Sequence, residues 1–515
     1  VGVAVRKWLL FSVFSLCLLL GVAMVIRADK PKNVVIRPPA VAGQFYPDNP
    51  GVLRKAVEAF LADAPSPRGD EVIAIVAPHA GYIYSGQVAA DAWRQAAGGR
   101  YDLVVILGTN HTGAVGNAVA AYPGDAFETP LGVVWIDKDT EGELLRESPD
   151  CLHNSAAHGR EHSIEVQVPF VQVLFPQAKI LPLVVGRPDV ELCRRFGEAL
   201  AKVVKGKRAL IVASSDLSHY PSYADAVRAD RQTLEAVCSL DPRTLSRRIR
   251  EIESLSLRDL HTAACGEAPI MAAQAAARAL GAKGARVVSY ANSGDAAVGD
   301  RSRVVGYGAV VMTREAAPPP TGEERGPGGG GDLTPEDRRA LLGHARKTIE
   351  QFLTLRTVPA ARGFSEAARQ KRGVFVTLKK HGQLRGCIGH MAPDTPLADL
   401  VGSMALQSAF NDPRFPPVKA EELKDIEIEL SVLTPMKPVS GPEEIVVGRD
   451  GVLLTKGGRS AVFLPQVAVE QNWTKEEMLD HLAMKAGLPP KSWKEGCRFQ
   501  TFQAEVFGEG EGGRR

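Results

Sequence analysis

Three short β-branched runs, each ending in a turn that carries a histidine, constrain this chain more than any other feature. Residues 72–76 (VIAIV) lead through Ala77 and Pro78 to His79. Residues 103–107 (LVVIL) lead through Gly108, Thr109 and Asn110 to His111. Residues 209–213 (ALIVA) lead through Ser214, Ser215, Asp216, Leu217 and Ser218 to His219. Such runs suit strands buried on both faces. Helical stretches between them, such as 85–97 and 190–204, predict an α/β sheet. Ligands of such sheets collect beyond the carboxyl ends of the strands, where all three histidines fall. A lone histidine after a strand is more often a hydrogen-bonded loop residue. Three of them in Gly-, Ser-, Asn- and Pro-rich turns, one with Asp216 three residues ahead, predict a shared polar site.

Two further segments offer chemistry. AHGREHSIE holds His158, Glu161, His162 and Glu165. If residues 161–172 are helical, Glu161 and Glu165 share a face; a solvated charged turn is the plainer reading. The order of residue types is not that of the HExxH zinc helix. Cys265 stands in TAACGEAPI, ahead of an Ala-rich helix expected over 269–280. Taken alone, a free cysteine is usually a small buried hydrophobe. The chain has seven cysteines and no CxxC pair, so any metal site must be assembled from distant residues. Two imidazoles and one anionic ligand leave open positions on a metal. A carboxylate as the anion suits Fe(II) oxygen chemistry, and a thiolate favours softer ions such as Zn or Cu(I). A third histidine outside the ligand set, oriented by an aspartate, can act as a general base.

The chain divides at AAPPPTGEERGPGGGGD, residues 316–332, whose Pro and Gly content reads as a linker. It separates a block near 36–315 from one near 333–510. At the other end, Arg6 and Lys7 precede an uncharged apolar run over residues 8–26. That run is about the length of a membrane-spanning helix and has the form of a signal peptide with a small-residue site at Ala28. Residues 1–30 are therefore expected to be a signal peptide or membrane anchor. The expected location is membrane-anchored or exported, at the bacterial inner membrane or periplasm, with a cytoplasmic-side tether as the alternative. The 62 basic and 59 acidic residues nearly cancel and show no basic stripe, so no nucleic-acid partner is expected.

The second block predicts an α+β pattern. Thr334-Pro335-Glu336-Asp337 opens a helix to about residue 355. A strand over 374–378 turns at His381-Gly382 into LRGCIGH, residues 384–390. A helix from Thr395-Pro396 to about 410, a strand near 426–433, a hairpin at Gly457-Gly458, a Thr474-capped helix and a final strand near 499–507 follow. In LRGCIGH, Gly386 and Gly389 flank Cys387 and would let backbone approach a ligand, with Arg385 and His390 supplying charge. The plainer reading is a tight strand-turn with one buried cysteine, since no base, zinc partner or second cysteine stands nearby.

The strings APHAGYIYSG (77–86), ILGTNH (106–111), EHSIEVQVPF (161–170), SSDLSHY (214–220) and ACGEAPI (264–270) resemble the Memo family, in its order and over nearly all of the first block. That family is similar in fold to the LigB-type class III extradiol dioxygenases. The resemblance implies that His79, His111 and Cys265 are metal ligands and that His219, with Asp216 beside it, matches the dioxygenases' catalytic base. It implies a divalent metal, iron first, with copper or zinc as alternatives. Cys265 stands where the dioxygenases carry a carboxylate, a departure that counts against plain catechol cleavage; a thiolate ligand is also easily oxidised. LRGCIGH, NDPRFPP (411–417) and FLPQVAVEQNW (463–473) resemble the AMMECR family across the second block. Together the two blocks are similar to a fusion of AmmeMemoRadiSam system proteins B and A, which implies a radical-SAM partner; no CxxxCxxC motif occurs in this chain.

The first expectation is a metal-dependent, dioxygenase-like oxidoreductase acting on a small molecule, with His162, Glu165, Arg385, Cys387 and His390 at a substrate or partner site. The rival is a non-catalytic, membrane-tethered metal-binding or adaptor protein. A third reading places covalent chemistry at Cys387.

Overall fold

A computed structural model describes residues 34–296, 299–316 and 332–510. The apolar run over 8–26 lies outside the described residues, as do residues 317–331 of the linker at 316–332. Among the described residues no helix is long and apolar enough to cross a membrane.

The first domain is built on a mixed eight-stranded sheet. Its strands are β1 (Val72–Ala77), β2 (Leu103–Gly108), β3 (Val119–Ala121), β4 (Cys151–His153), β5 (Lys179–Val185), β6 (Ala209–Ser214), β7 (Gly284–Asn292) and β8 (Gly306–Thr313). Their spatial order is β7-β8-β1-β6-β2-β5-β3-β4. The centre, β1-β6-β2-β5, is parallel. β8 runs antiparallel to β1, and β3 antiparallel to β5. Every residue of β1 and β2 is buried, because both faces of the sheet are covered. Val105, Leu107, Leu183, Ile211 and Ala213 belong to one apolar cluster. Their alternating neighbours Val104, Ile106, Leu210 and Val212 belong to the other. The three runs that lead to histidines are thus adjacent strands, β1, β6 and β2. With strands about 4.8 Å apart, their exit loops open side by side.

Helices α1 (Pro50–Asp63) and α2 (Tyr82–Ala96) cover one face, with Phe60, Val88 and Trp93 in its core. Helices α3 (Val190–Val204) and α4 (Glu267–Ala279) cover the other, with Phe196, Leu200, Ile270 and Met271. The expected helix over 161–172 is not continuous. A 3-10 turn at Glu165–Gln167 leads into a short helix at Val168–Leu174. Pro169, which has no N–H to donate, is tolerated in that first turn and would break a longer helix through the segment.

The second domain is α+β. Helix α5 (Pro335–Leu355) starts in a capping box, Thr334 and Asp337 each bonding the other's backbone. Helix α6 (Leu397–Phe410) lies with it over an antiparallel sheet. That sheet runs in the order Gln383–His390, Val374–Lys380, Ile426–Leu433, Ala504–Gly508. A second antiparallel sheet joins Lys437–Val439, Arg498–Phe502, Gly451–Lys456 and Arg459–Phe463. The single strand expected near 499–507 is two strands in two sheets. The chain changes sheet at Gln503, whose backbone exchanges hydrogen bonds with Thr434 at 2.8 and 2.9 Å.

Candidate metal centre

The loops leaving β1, β6 and β2 bring His79, His219 and His111 together with Cys265, which precedes α4. Candidate ligand atoms of His79, His111 and Cys265 all lie within 4.8 Å of one another, as do those of Asp216, His219 and Cys265. A third set, His111, Glu161 and His162, adjoins them. Cys265 Sγ is 3.2 Å from His79 Nε2. Gly266 makes this approach possible: a Cβ there would sit 2.5 Å from Ser215 Cβ, and its N–H donates to Ser215 Oγ at 2.9 Å.

Hydrogen bonds fix the tautomers of both candidate imidazole ligands. Ser214 Oγ donates to Ser163 O at 2.6 Å and accepts from Gln167 Nε2 at 2.9 Å. Its proton is therefore committed, and at 3.1 Å from His79 Nδ1 it acts as the acceptor. His79 carries its proton on Nδ1 and presents the Nε2 lone pair to Cys265. His111 Nδ1 lies 2.8 Å from Glu161 Oε1, and its backbone N–H donates to the other carboxylate oxygen at 2.8 Å. His111 Nε2 is likewise left free. An outer partner that holds one ring N–H and directs the other nitrogen inward is the usual support of a metal-ligating histidine.

The charges agree with this division. Burial, with the neighbouring His111, keeps His79 neutral far below the ordinary histidine range. Burial alone would raise the Glu161 carboxyl. Hydrogen bonds from His111 and Ser163 outweigh it and hold the group at about 2. Burial pushes the Cys265 thiol well up, so a thiolate there needs a cation's charge beside it. Two imidazoles with Nε2 aimed inward and a thiol that ionises only against a cation fit a divalent metal.

His219 sits beyond this set on backbone clamped from two sides. Its N–H donates to Thr262 O and its carbonyl accepts from His261 N, each at 3.0 Å. Its Nε2 is buried and has no hydrogen-bond partner among the described residues. Burial lowers its pKa against the opposing pull of Asp216. Asp216 does not hydrogen-bond the His219 ring. Its Oδ1 accepts from the backbone of His79 at 2.8 Å and of Ala80 at 3.3 Å, so it holds the turn that carries the candidate ligand His79.

His162 stacks on His111 with ring centroids 4.5 Å apart and stands 5.5 Å from His79. Burial first, then the neighbouring His79 and His111 rings, lower it to about 4. Glu165 is turned away from this cluster. It is fully buried and accepts from Arg37, the backbone of Ala40 and Val41, and Tyr46 Oη. Arg37 also donates to His158 O and Glu161 O at 2.7 and 2.6 Å. Glu161 and Glu165 thus have different tasks, one orienting His111 and the other pinning the segment. Ser214, Ser163, Gln167 and Arg37 escape a sequence reading because these partners lie 47 to 128 positions away. Only Glu161, next to His162 in a histidine-rich string, carries a local signal.

In the second domain, Arg385, Cys387 and His390 share one strand but turn to separate partners. Arg385 pairs with Glu422 at 3.0 Å, and His390 with Asp394 at 3.0 Å. Thr377 Oγ1 donates to Cys387 Sγ at 3.3 Å. Asp412 accepts from Cys387 N at 2.9 Å, and Arg414 donates to Cys387 O at 3.0 Å, so NDPR clamps the cysteine's backbone. The flanking glycines do not open that backbone to a ligand. The space of a Cβ at Gly386 is taken by Ser408 O, and at Gly389 by the Phe375 ring.

Residues 37–311 match the family described as Memo-like protein. The chain belongs to the Memo-like protein family. Residues 342–507 match AMMECR1, so the chain is a fusion of a Memo-like domain and an AMMECR1 domain. A MEMO1 family protein of Methanopyrus kandleri is 38% identical over 291 residues, covering 54% of this chain and 99% of that protein. One of Aquifex aeolicus is 38% identical over 278 residues, with 54% and 99% covered. Among solved structures, an uncharacterized protein of Pyrococcus horikoshii is 40% identical, with a TM-score of 0.33, covering 34% of this chain and 93% of that one.

Proposed function

We propose that the Memo-like domain is a metal-dependent oxidoreductase of dioxygenase type, acting on a small organic substrate. The supporting observation is the pair of imidazoles, His79 and His111, whose Nδ1 protons are committed and whose Nε2 atoms face inward beside Cys265. These three residues would hold the metal, iron first, with copper or zinc as alternatives. When bound, the metal would supply Lewis-acid and redox activation of oxygen and substrate. His219, neutral and without a partner at Nε2, takes the substrate's proton there. Asp216 keeps the His79 turn in place, and the His162 ring forms the wall on the His111 side. By the same resemblance we propose a radical-SAM protein as partner and membrane attachment or export through residues 8–26. The AMMECR1 domain would present Cys387 and His390 to a substrate or partner.

The same resemblance also supports a second reading, non-catalytic metal binding: Cys265 stands where the dioxygenases carry a carboxylate. Oxygen uptake separates the two. Anaerobically iron-loaded full-length protein is offered catechols and modified aromatics. His219→Ala is expected to keep its metal and lose about 10²–10⁴-fold in turnover. Metal retention with no oxygen uptake by the unaltered protein would contradict the oxidoreductase reading and leave the second.

A further inference from the structure

The Memo-like and AMMECR1 domains meet through paired charges. Asp91 of α2 is fully buried. From its own domain it accepts from two neutral groups, Gln87 Nε2 at 3.0 Å and Ser289 Oγ. Among the described residues its cationic partner is Arg362 of the AMMECR1 domain, which bonds both carboxylate oxygens. The carboxylate is thus buried against a charge that the other domain supplies, in the bidentate geometry that makes such a pair strong. The same guanidinium donates to Asp63 O at 2.6 Å, one of the carbonyls left over at the C-terminal end of α1. Among the described residues the Arg362 side chain bonds nothing in its own domain.

Lys347 of α5 pairs with the Asp63 carboxylate at 3.0 Å, and α1 packs against α5. At a further contact the signs reverse. Arg301 of the Memo-like domain stands 3.7 Å from Asp394, the residue that holds His390. Phe60 and Val88 on one side and Val358 and Pro359 on the other line the crevice between the domains. Two anions and a cation on the Memo-like face therefore oppose two cations and an anion. The exposed pairs add little affinity, but a shifted or turned AMMECR1 domain would bring like charges together, so the pattern selects one orientation. A tether supplies proximity, on the order of millimolar, but no orientation.

We propose that α1, α2 and Arg301 form a docking surface for an AMMECR1-type domain, and that the two domains associate whether or not a peptide joins them. The association requires neither metal nor turnover. It bears on the candidate metal centre from two sides. α2 begins three residues after His79, and Arg301 O accepts from Tyr223 N, four residues after His219.

A protease site placed within residues 317–331 of the full chain, and cut after purification, tests this by sedimentation velocity at about 1 μM, far below the effective concentration a tether provides. The cut protein is expected to sediment with the mass of the uncut chain. Arg362→Ala removes a side chain that bonds only the other domain. It is expected to weaken association about 30-fold or more, and Asp91→Asn should add little to that loss because the two residues act as one pair. Circular dichroism melts confirm that each variant is folded. Halves of the unaltered protein that part on cutting would overturn the proposal, as would cut Arg362→Ala halves that hold together as tightly as before.

Discussion

Glu161→Gln isolates the arrangement that would make His111 a ligand. The carboxylate accepts three hydrogen bonds at 2.8 Å, from His111 Nδ1, His111 N and Ser163 N. An amide has one acceptor oxygen. Its NH₂ meets a donor either way, facing His111 Nδ1 and Ser163 N in one orientation or His111 N in the other, so the hold on the tautomer with the proton on Nδ1 is weakened. A hydrogen bond to a charged group contributes about 1.5–3 kcal/mol. Loss of an orienting partner of this kind lowers metal affinity by about 10–100-fold. The two figures agree, because each 1.4 kcal/mol is about a factor of ten. The assay is anaerobic competition for Fe(II) or Zn(II) between the protein and a chelator of known affinity, with circular dichroism to confirm folding. A folded Glu161→Gln variant with unaltered metal affinity would refute the tautomer argument.

Other consequences are open to stability measurements. Glu165→Ala leaves the buried Arg37 charge without its partner and is expected to cost about 3–5 kcal/mol in denaturant melts; a cost below about 1 kcal/mol would contradict the buried pair. Burial raises the Asp230 carboxyl to about 7, despite hydrogen bonds from Ser218 N and Tyr290 Oη. The unfolded chain ionises near the ordinary value of about 3.9, so this group's contribution to stability falls as pH rises from about 4 to about 7. Asp230→Asn should therefore gain in Tm relative to the unaltered protein across that window, and a pH-independent difference would count against the assignment. Gly386→Ala pushes a methyl into Ser408 O and should destabilise the second domain by about 1–3 kcal/mol; an unchanged melt would show that the edge strand shifts freely.

The strands of the first domain were legible because β1, β2 and β6 are short, β-branched and buried on both faces, a pattern that leaves little freedom. Their order was not, since β6 lies between β1 and β2 only through crossovers that no local motif encodes. That order places the three histidine loops side by side. The spacing of Glu161 and Glu165 suggested one helical face, but Pro169 and the reach of Arg37 give them separate tasks. In the second domain the caps at Thr334 and Thr474 were visible in four-residue strings. The roles of Gly386 and Gly389 depend on Ser408 and Phe375, which meet them only in the packed sheet. Local chemistry pointed to the candidate site residues. Long-range packing decided what each one touches.

X-ray absorption at the metal edge of full-length, anaerobically loaded protein tests the central claim most directly. The account predicts one metal per chain with nitrogen ligation and a single sulfur scatterer, at about 2.3 Å if the metal is zinc. The sulfur contribution should vanish in Cys265→Ala, and the metal should be lost in His79→Ala. A protein that takes up no metal, or a metal with no sulfur neighbour, would contradict it.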